Sequence, residues 1–243
     1  FLFLFLLLLM SSGVISSWTQ NISGVINYYT SVTKIKNEEI TVNNANNFHQ
    51  GDKVLLIQMK GAKITTGNTK KFGAIINYAS AGNFEFLIIK TVSNNKITTI
   101  NAPCDTFDCS GTVQLVKVPV YENATVVNEI TCPPWNGNSG GIIAMEVKGT
   151  LTLKANINAS GKGFRGGAVV SGYFQCGDDK YASQDLGKKG EGIAIAPAEE
   201  NGGRAALANG GGGSNRGNPG AGGLTGHANH GHKHAAEGRA CHA

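Results

Sequence analysis

The sequence predicts an all-β protein: a small β barrel or sandwich, then β-helix-like stacked strands, then a glycine-rich segment. Three observations carry that expectation. Short β-rich runs separated by polar turns fill residues 21–121, and no window sustains a helical period. Between Gly141 and Gly167 the apolar side chains fall on alternate positions, Ile143-Met145-Val147 and then Leu151-Leu153-Ala155-Ile157-Ala159. The even positions there carry Glu146, Lys148, Thr152, Lys154, Asn156 and Asn158, so period two predicts one buried and one wet face. Glycine is also uneven, with 8 of the 34 before residue 122 and 26 after it, which divides the chain into two regimes.

Bulk composition narrows the classes. With 243 residues and 41% hydrophobic content, the chain is long enough for a real core. Its net charge of +5 comes from 17 Lys and 4 Arg that are scattered, with no basic stripe interleaved with aromatics, so nucleic acid is not an expected partner. The run Phe1–Met10 is too short to span a bilayer and suits the apolar part of an export signal, with small residues after it. Residues 1–19 therefore read as a signal peptide incomplete at its start, and the mature chain is expected to be secreted or at the cell surface, with no membrane span.

Taken in order, Glu39-Ile40-Thr41-Val42 leads into an Asn-rich turn, and Val54–Met59 is a continuous apolar run suited to a strand buried on both faces. Phe84–Val92 and Lys96–Ile100 flank Ser93-Asn94-Asn95 and read as a hairpin. Val113–Val120 is another strand, and Pro119 predicts an edge or terminal position. The barrel or sandwich is placed at 20–121 and the stacked strands at 122–200, with a bend at Gly149-Thr150. The segment 201–226 is glycine-rich, and 227–243 is a His-rich tail that departs from what precedes it.

Five cysteines suit an exported protein, where disulfides persist. Cys104 with Cys109, and Cys132 with Cys176, are the candidate pairs, leaving Cys241 odd. Zinc spacings are absent. His227, His230, His232 and His234 are the candidate metal ligands, although no apolar anchors surround them, and no cofactor is expected. Trp135, Tyr173 and Tyr181 are candidate sugar-stacking rings, with loop packing as the competing role for Trp135. No pair of carboxylates is forced together by sequence, so no catalytic residue is assigned; Asp178, Asp179, Asp185, Glu191, Glu199 and Glu200 all sit in Gly-flanked polar loops. The G-x-G-x-x-G run at Gly161–Gly166 follows a strand but opens no helix, and reads as turns.

The segments GDKVLLIQMKGA (51–62), FGAIINYASAGNFEFLII (72–89), VQLVKVPVYENATV (113–126), PWNGNSGGIIAMEVKGTLTL (134–153) and ANINASGKGFRGG (155–167) follow one another in order. With KGEGIA (189–194) and ALANGGGGSN (206–215), they resemble the N-terminal part of large, glycine-rich, adhesin-like exported proteins of Bacteroidetes-type bacteria. That resemblance implies a non-enzymatic cell-surface or secreted protein, a client of type IX secretion, present here as a fragment. It favours an ordered glycine region over a linker. The expected function is structural and adhesive, with loops presented to surface glycans or other surfaces. A β-helical polysaccharide lyase or hydrolase, or a carbohydrate-binding module, is the alternative.

Overall fold

The computed structural model describes residues 18–168 and 180–213, the side chain of Asp185 excepted. These residues are all-β apart from one 3-10 turn at Ala198–Glu200, as the absence of helical periodicity predicts. Two architectures share the chain, a closed antiparallel barrel and a parallel stack.

The barrel is built from β2 (Tyr29–Lys36), β3 (Glu39–Val42), β4 (Lys53–Lys60), β7 (Phe84–Ser93), β8 (Lys96–Thr99) and β9 (Thr112–Val118). Its strands close in the order β2-β3-β8-β7-β4-β9. Asn37 and Asn94 sit in the tight turns β2–β3 and β7–β8 with φ of 52° and 51°, the left-handed conformation that Asn tolerates best after Gly. The expected hairpin across residues 93–95 is thus formed, with Val92 opposite Ile97 and Ser93 opposite Lys96. Alternate residues of each strand fill the interior: Val32, Ile40, Val54, Leu56, Leu87, Ile89, Ile97 and Leu115 form one buried cluster, closed by Phe48. β4 lies between β7 and β9 and is buried on both faces, which explains its unbroken apolar run. Pro119 ends β9, but β9 pairs with β2 and β4 and so is not an edge. Between β4 and β7 a small antiparallel pair, β5 (Lys63–Ile64) and β6 (Ile75–Asn77), stands outside the barrel.

The stack starts earlier than composition suggests. β1 (Thr19–Val25) does not join the barrel; it pairs in parallel with β11 (Asn123–Thr131), Thr19 opposite Asn123 and Ile22 opposite Val126. β11 pairs in parallel with β13 (Leu151–Leu153), Ala124 opposite Leu151 and Val126 opposite Leu153. Beside them β10 (Val120–Tyr121) pairs with β12 (Glu146–Val147). The chain thus returns to the same place every 26 or 27 residues, as Val120 to Glu146 and Ala124 to Leu151 show. The barrel is an insertion between the first and second turns of this stack.

Asn27 seals that junction. Its buried side-chain amide donates to the carbonyls of Lys117 and Ala144, and its carbonyl accepts from the Ala144 N–H. The segment 142–147 is the seam between the two bodies. Ile143, Met145 and Val147 pack on the stack core with Ile22, Ala124, Val126 and Ile130. Ile142 and Ala144 pack the other way, onto Leu55, Val116 and Val118 of the barrel's outer wall. The alternation in sequence therefore marks two buried faces here. Farther on the expected buried face opens out: Leu151, Leu153 and Ile157 are 36%, 60% and 40% exposed.

Among the described residues, the glycine region at 187–213 is tightly packed. Its backbones lie against one another so closely that a Cβ at Gly192 would sit 2.6 Å from the Gly210 nitrogen. A Cβ at Gly210 would sit 2.6 Å from the Glu191 carbonyl oxygen. β14 (Ser183–Lys188) bridges to Gly202, and Ala182, Ala194 and Leu207 on the flanking segments pack beside β5 around Phe72. Chain segments that touch backbone to backbone leave no room for side chains, which is why the composition is glycine here.

Candidate functional site

Among the described residues an open apolar row lies on the barrel's outer wall. On β7 the outward positions recur every second residue, and Phe84, Phe86 and Ile88 are 57%, 49% and 37% exposed. Ile100 extends the patch; its N–H donates to the Ile88 carbonyl, and it is 56% exposed. Across the ladder Phe86 faces Leu55, Phe84 faces Ile57 and Ile88 faces Lys53. Leu55 in turn lies under Ile142 and Ala144. The wall is one continuous apolar face: the stack covers its β4–β9 half and leaves the β7 half bare.

The bare half has defined geometry. Phe84 and Phe86 meet edge to face with ring centroids 6.3 Å apart. The Lys53 ammonium lies 5.1 Å from the Phe86 centroid and also forms an ion pair with Glu146 of the seam. A cation over one aromatic face fixes that ring and marks the border between covered and open wall. The chemistry offered is contact, with flat rings, branched aliphatics and one positive charge beside them.

The sequence-predicted site residues lie elsewhere. Trp135 is only 2% exposed, packed edge to face on Phe164 at 5.6 Å, so it offers no ring face to a sugar. Its loop is pinned to the barrel by Gln114, itself fully buried, which donates to the Gly140 carbonyl and accepts from the Gly140 N–H. A Pro/Gly-rich loop that looks exposed in sequence is thus locked down, and Trp135 takes the packing role. Tyr181 is half-buried in the cluster around Phe72, with the Arg204 guanidinium 4.0 Å over its ring. Tyr173, Cys176 and the histidines at 227, 230, 232 and 234 lie outside the described residues. Among the described residues no three potential metal ligands converge.

The local disulfide is not formed. Cys104 is exposed and its N–H is held by the Glu85 carboxylate, whereas Cys109 turns inward against the barrel core, where burial raises its thiol pKa. Cys132 is buried and free.

Among the described carboxylates, Glu191 is held from two sides. It accepts from Lys60 at the end of β4 at 2.7 Å and from Arg165 at 2.8 and 3.0 Å, joining the barrel to successive turns of the stack. Burial alone would raise its pKa, but the hydrogen bonds from Arg165 and Lys60 outweigh it and hold the group at about 2. A carboxylate held ionised in this way ties elements together and is ill suited to donate a proton. Glu200 accepts from the Gly67 N–H. Lys189 is buried, donates to the carbonyls of Tyr181, Gly203 and Ala205, and lies 4.5 Å from the Phe72 centroid. Burial lowers its pKa to about 7, with the Glu200 charge pulling the other way. Tyr29 donates to the Ile142 carbonyl at 2.6 Å, and burial, with Cys132 adding to it, raises its phenol well above the usual range.

No family profile matches the chain, and no curated protein does. Among solved structures it is similar to phage tailspikes. The Gp54 tailspike of Acinetobacter baumannii bacteriophage AP22, solved with A. baumannii capsular saccharide, is 14% identical with a TM-score of 0.29, over 54% of this chain and 22% of that one. The gp49 tailspike of Pseudomonas phage LKA1 is 13% identical, TM-score 0.25, over 46% and 20%. The gp61 tailspike of Pseudomonas phage phi297 is 10% identical, TM-score 0.26, over 59% and 35%. The matched regions span between a fifth and about a third of those chains.

Proposed function

We propose that this chain is a non-enzymatic structural and adhesive module of a secreted or cell-surface protein, a stacked-strand body carrying a barrel whose bare wall contacts surface glycans. The observation that carries this reading is the open row Phe84, Phe86 and Ile88 on a rigid strand, continuous with Ile100. Contiguous exposed apolar side chains on an otherwise well-packed barrel mark a contact surface, and an aromatic face matches the apolar face of a sugar ring. Placement on a closed barrel gives the row a fixed spacing. Export, suggested by the apolar run at 1–10, puts such a wall where glycans are met. The resemblance to glycine-rich adhesin-like proteins of Bacteroidetes-type bacteria, exported by type IX secretion, agrees with this reading.

The test is retention of purified protein on a panel of immobilised bacterial and host polysaccharides, with product analysis on the same material. Retention on at least one glycan is expected, reduced about tenfold or more in Phe86→Ala and Phe84→Ala variants whose melting is unchanged, a loss of about 1.4 kcal/mol. Retention that survives both substitutions removes the wall from the function. Release of new sugar ends would replace adhesion with polysaccharide cleavage.

A further inference from the structure

At one end of the barrel, where the loop 43–52 meets the β7–β8 turn, a hollow of about 540 Å³ opens. Asn46, His49 and Gln50 of the loop line it with Thr91 of β7 and Asn94 of the turn, and all five are exposed. Phe48, buried against the barrel core, makes the floor with Val92. Hydrogen bonds hold the rim in place. The Gly51 N–H donates to the Ile89 carbonyl, the Val42 N–H to the Asn95 carbonyl, and the Asn95 side-chain amide to the Asn43 carbonyl. Asp52 fastens the loop, accepting from the His49 N–H and pairing with Lys117 at 2.7 Å, so its charge is balanced. β7 carries one extra residue here, Lys90, between the pairs Ile89–Thr99 and Thr91–Thr98. Bulges at barrel rims re-aim side chains, and the mouths of barrels are a common place for small-ligand sites.

We propose that this hollow is a saccharide subsite that takes one neutral sugar unit by its hydroxyl groups, an assignment that rests on reading the barrel as a glycan-contacting module. Three carboxamides, a hydroxyl and an imidazole place donors and acceptors side by side, which is what neighbouring sugar hydroxyls require. An apolar floor under a polar rim suits a ring that is apolar on its face and polar at its edge. The lining contains no Lys, Arg, Asp or Glu, so nothing in it answers a phosphate or a carboxylate. Ile88 of the bare wall and Thr91 of the hollow are three residues apart on β7, about 10 Å, so one glycan chain can touch both. The wall supplies contact area and the hollow selects the sugar.

The experiment is nitrogen–proton correlation NMR of the isotope-labelled full chain, titrated with glucose, galactose, mannose and N-acetylglucosamine. Glucuronate and inorganic phosphate serve as charged controls. At least one neutral sugar is expected to shift the side-chain amide signals of Asn46, Gln50 and Asn94 together with the backbone signal of Thr91. Affinity should fall about tenfold or more in a Gln50→Ala/Asn94→Gly variant whose melting is unchanged, as the loss of two hydrogen bonds implies. Glycine is chosen at 94 because φ is 51° there and glycine keeps that turn. Absence of shifts with every neutral sugar overturns the proposal, as do shifts that persist in the double variant or that glucuronate and phosphate reproduce. Polysaccharide retention that depends on Phe86 while free sugars shift nothing at the rim overturns the subsite alone. Rim shifts accompanied by retention indifferent to Phe86 uphold the subsite and overturn the wall.

Discussion

Replacing Glu191 by Gln tests whether the barrel and the stack are held together by charge. The carboxylate is 17% exposed and accepts from Lys60 of the barrel and from Arg165 of the stack. Its pKa in the folded protein is about 2 against an ordinary 4.5. A depressed carboxylate stabilises the fold fully above the unfolded value, and that contribution is lost as pH falls through the folded one. That shift is worth about 3 kcal/mol if unscreened, but the Arg165 side chain is 57% exposed and solvent screens its share, which leaves about 1–2 kcal/mol at pH 7. The assay is urea unfolding of wild type and Glu191→Gln at intervals from pH 7 to pH 2, followed by tryptophan fluorescence. Of the two tryptophans Trp18 is 86% exposed already, so the signal reports Trp135, which packs on Phe164 beside Lys60. The difference between the two proteins should be about 1–2 kcal/mol above pH 5 and should shrink steadily between pH 4.5 and 2. A difference that stays constant across that window would show that shape, and not charge, supplies the effect.

Other substitutions test the remaining joints. Gln114→Leu removes both bonds to Gly140 and leaves two buried backbone groups unpaired, so it should cost about 2–4 kcal/mol and speed hydrogen exchange at Gly140. Gly149→Ala would set a Cβ 2.5 Å from the Asn123 side-chain oxygen and 2.8 Å from the Glu122 carbonyl, at the bend between β12 and β13. A loss of about 1–3 kcal/mol in chemical unfolding is expected there. Lys189 has a folded pKa below its unfolded 10.5, so the unfolded chain binds more protons between about pH 7 and 10.5, and this group's contribution makes stability rise with pH across that window. Unfolding curves of wild type and Lys189→Met should therefore move apart in favour of wild type over that range.

Much of the barrel was legible because its information is local. The unbroken run at Val54–Met59 and the hairpin at Asn94 need only neighbouring residues to be read. The parallel stack was legible only in part. β1 pairs with a strand about a hundred residues later, and its partner cannot be found from β1 itself. The 26- and 27-residue return lacks a repeated motif, because successive turns conserve backbone position and not side-chain identity. Trp135 misled for a related reason: its cover, Phe164, comes one stack turn later, so the loop reads as exposed when taken alone. The bare wall could have been noticed in Phe84-Glu85-Phe86-Leu87-Ile88-Ile89, where apolar residues occupy both parities. One parity faces the barrel core. What the other faces depends on how far segment 142–147 reaches, and that is a tertiary fact.

The insertion point has a mechanical consequence. The chain leaves for the barrel at Tyr28 and returns at Lys117, and the Lys117 N–H donates to the Tyr28 carbonyl at 2.8 Å. Entry and exit are therefore tied by this hydrogen bond and by the β2–β9 ladder that follows it, with Asn27 clamping the same spot. Tension applied along the polypeptide would pass from β1 to β11 through their shared ladder and this clasp, bypassing the six barrel strands. The barrel would stay slack under a pull that strains the stack, keeping the shape of its wall while the body behind it carries the load.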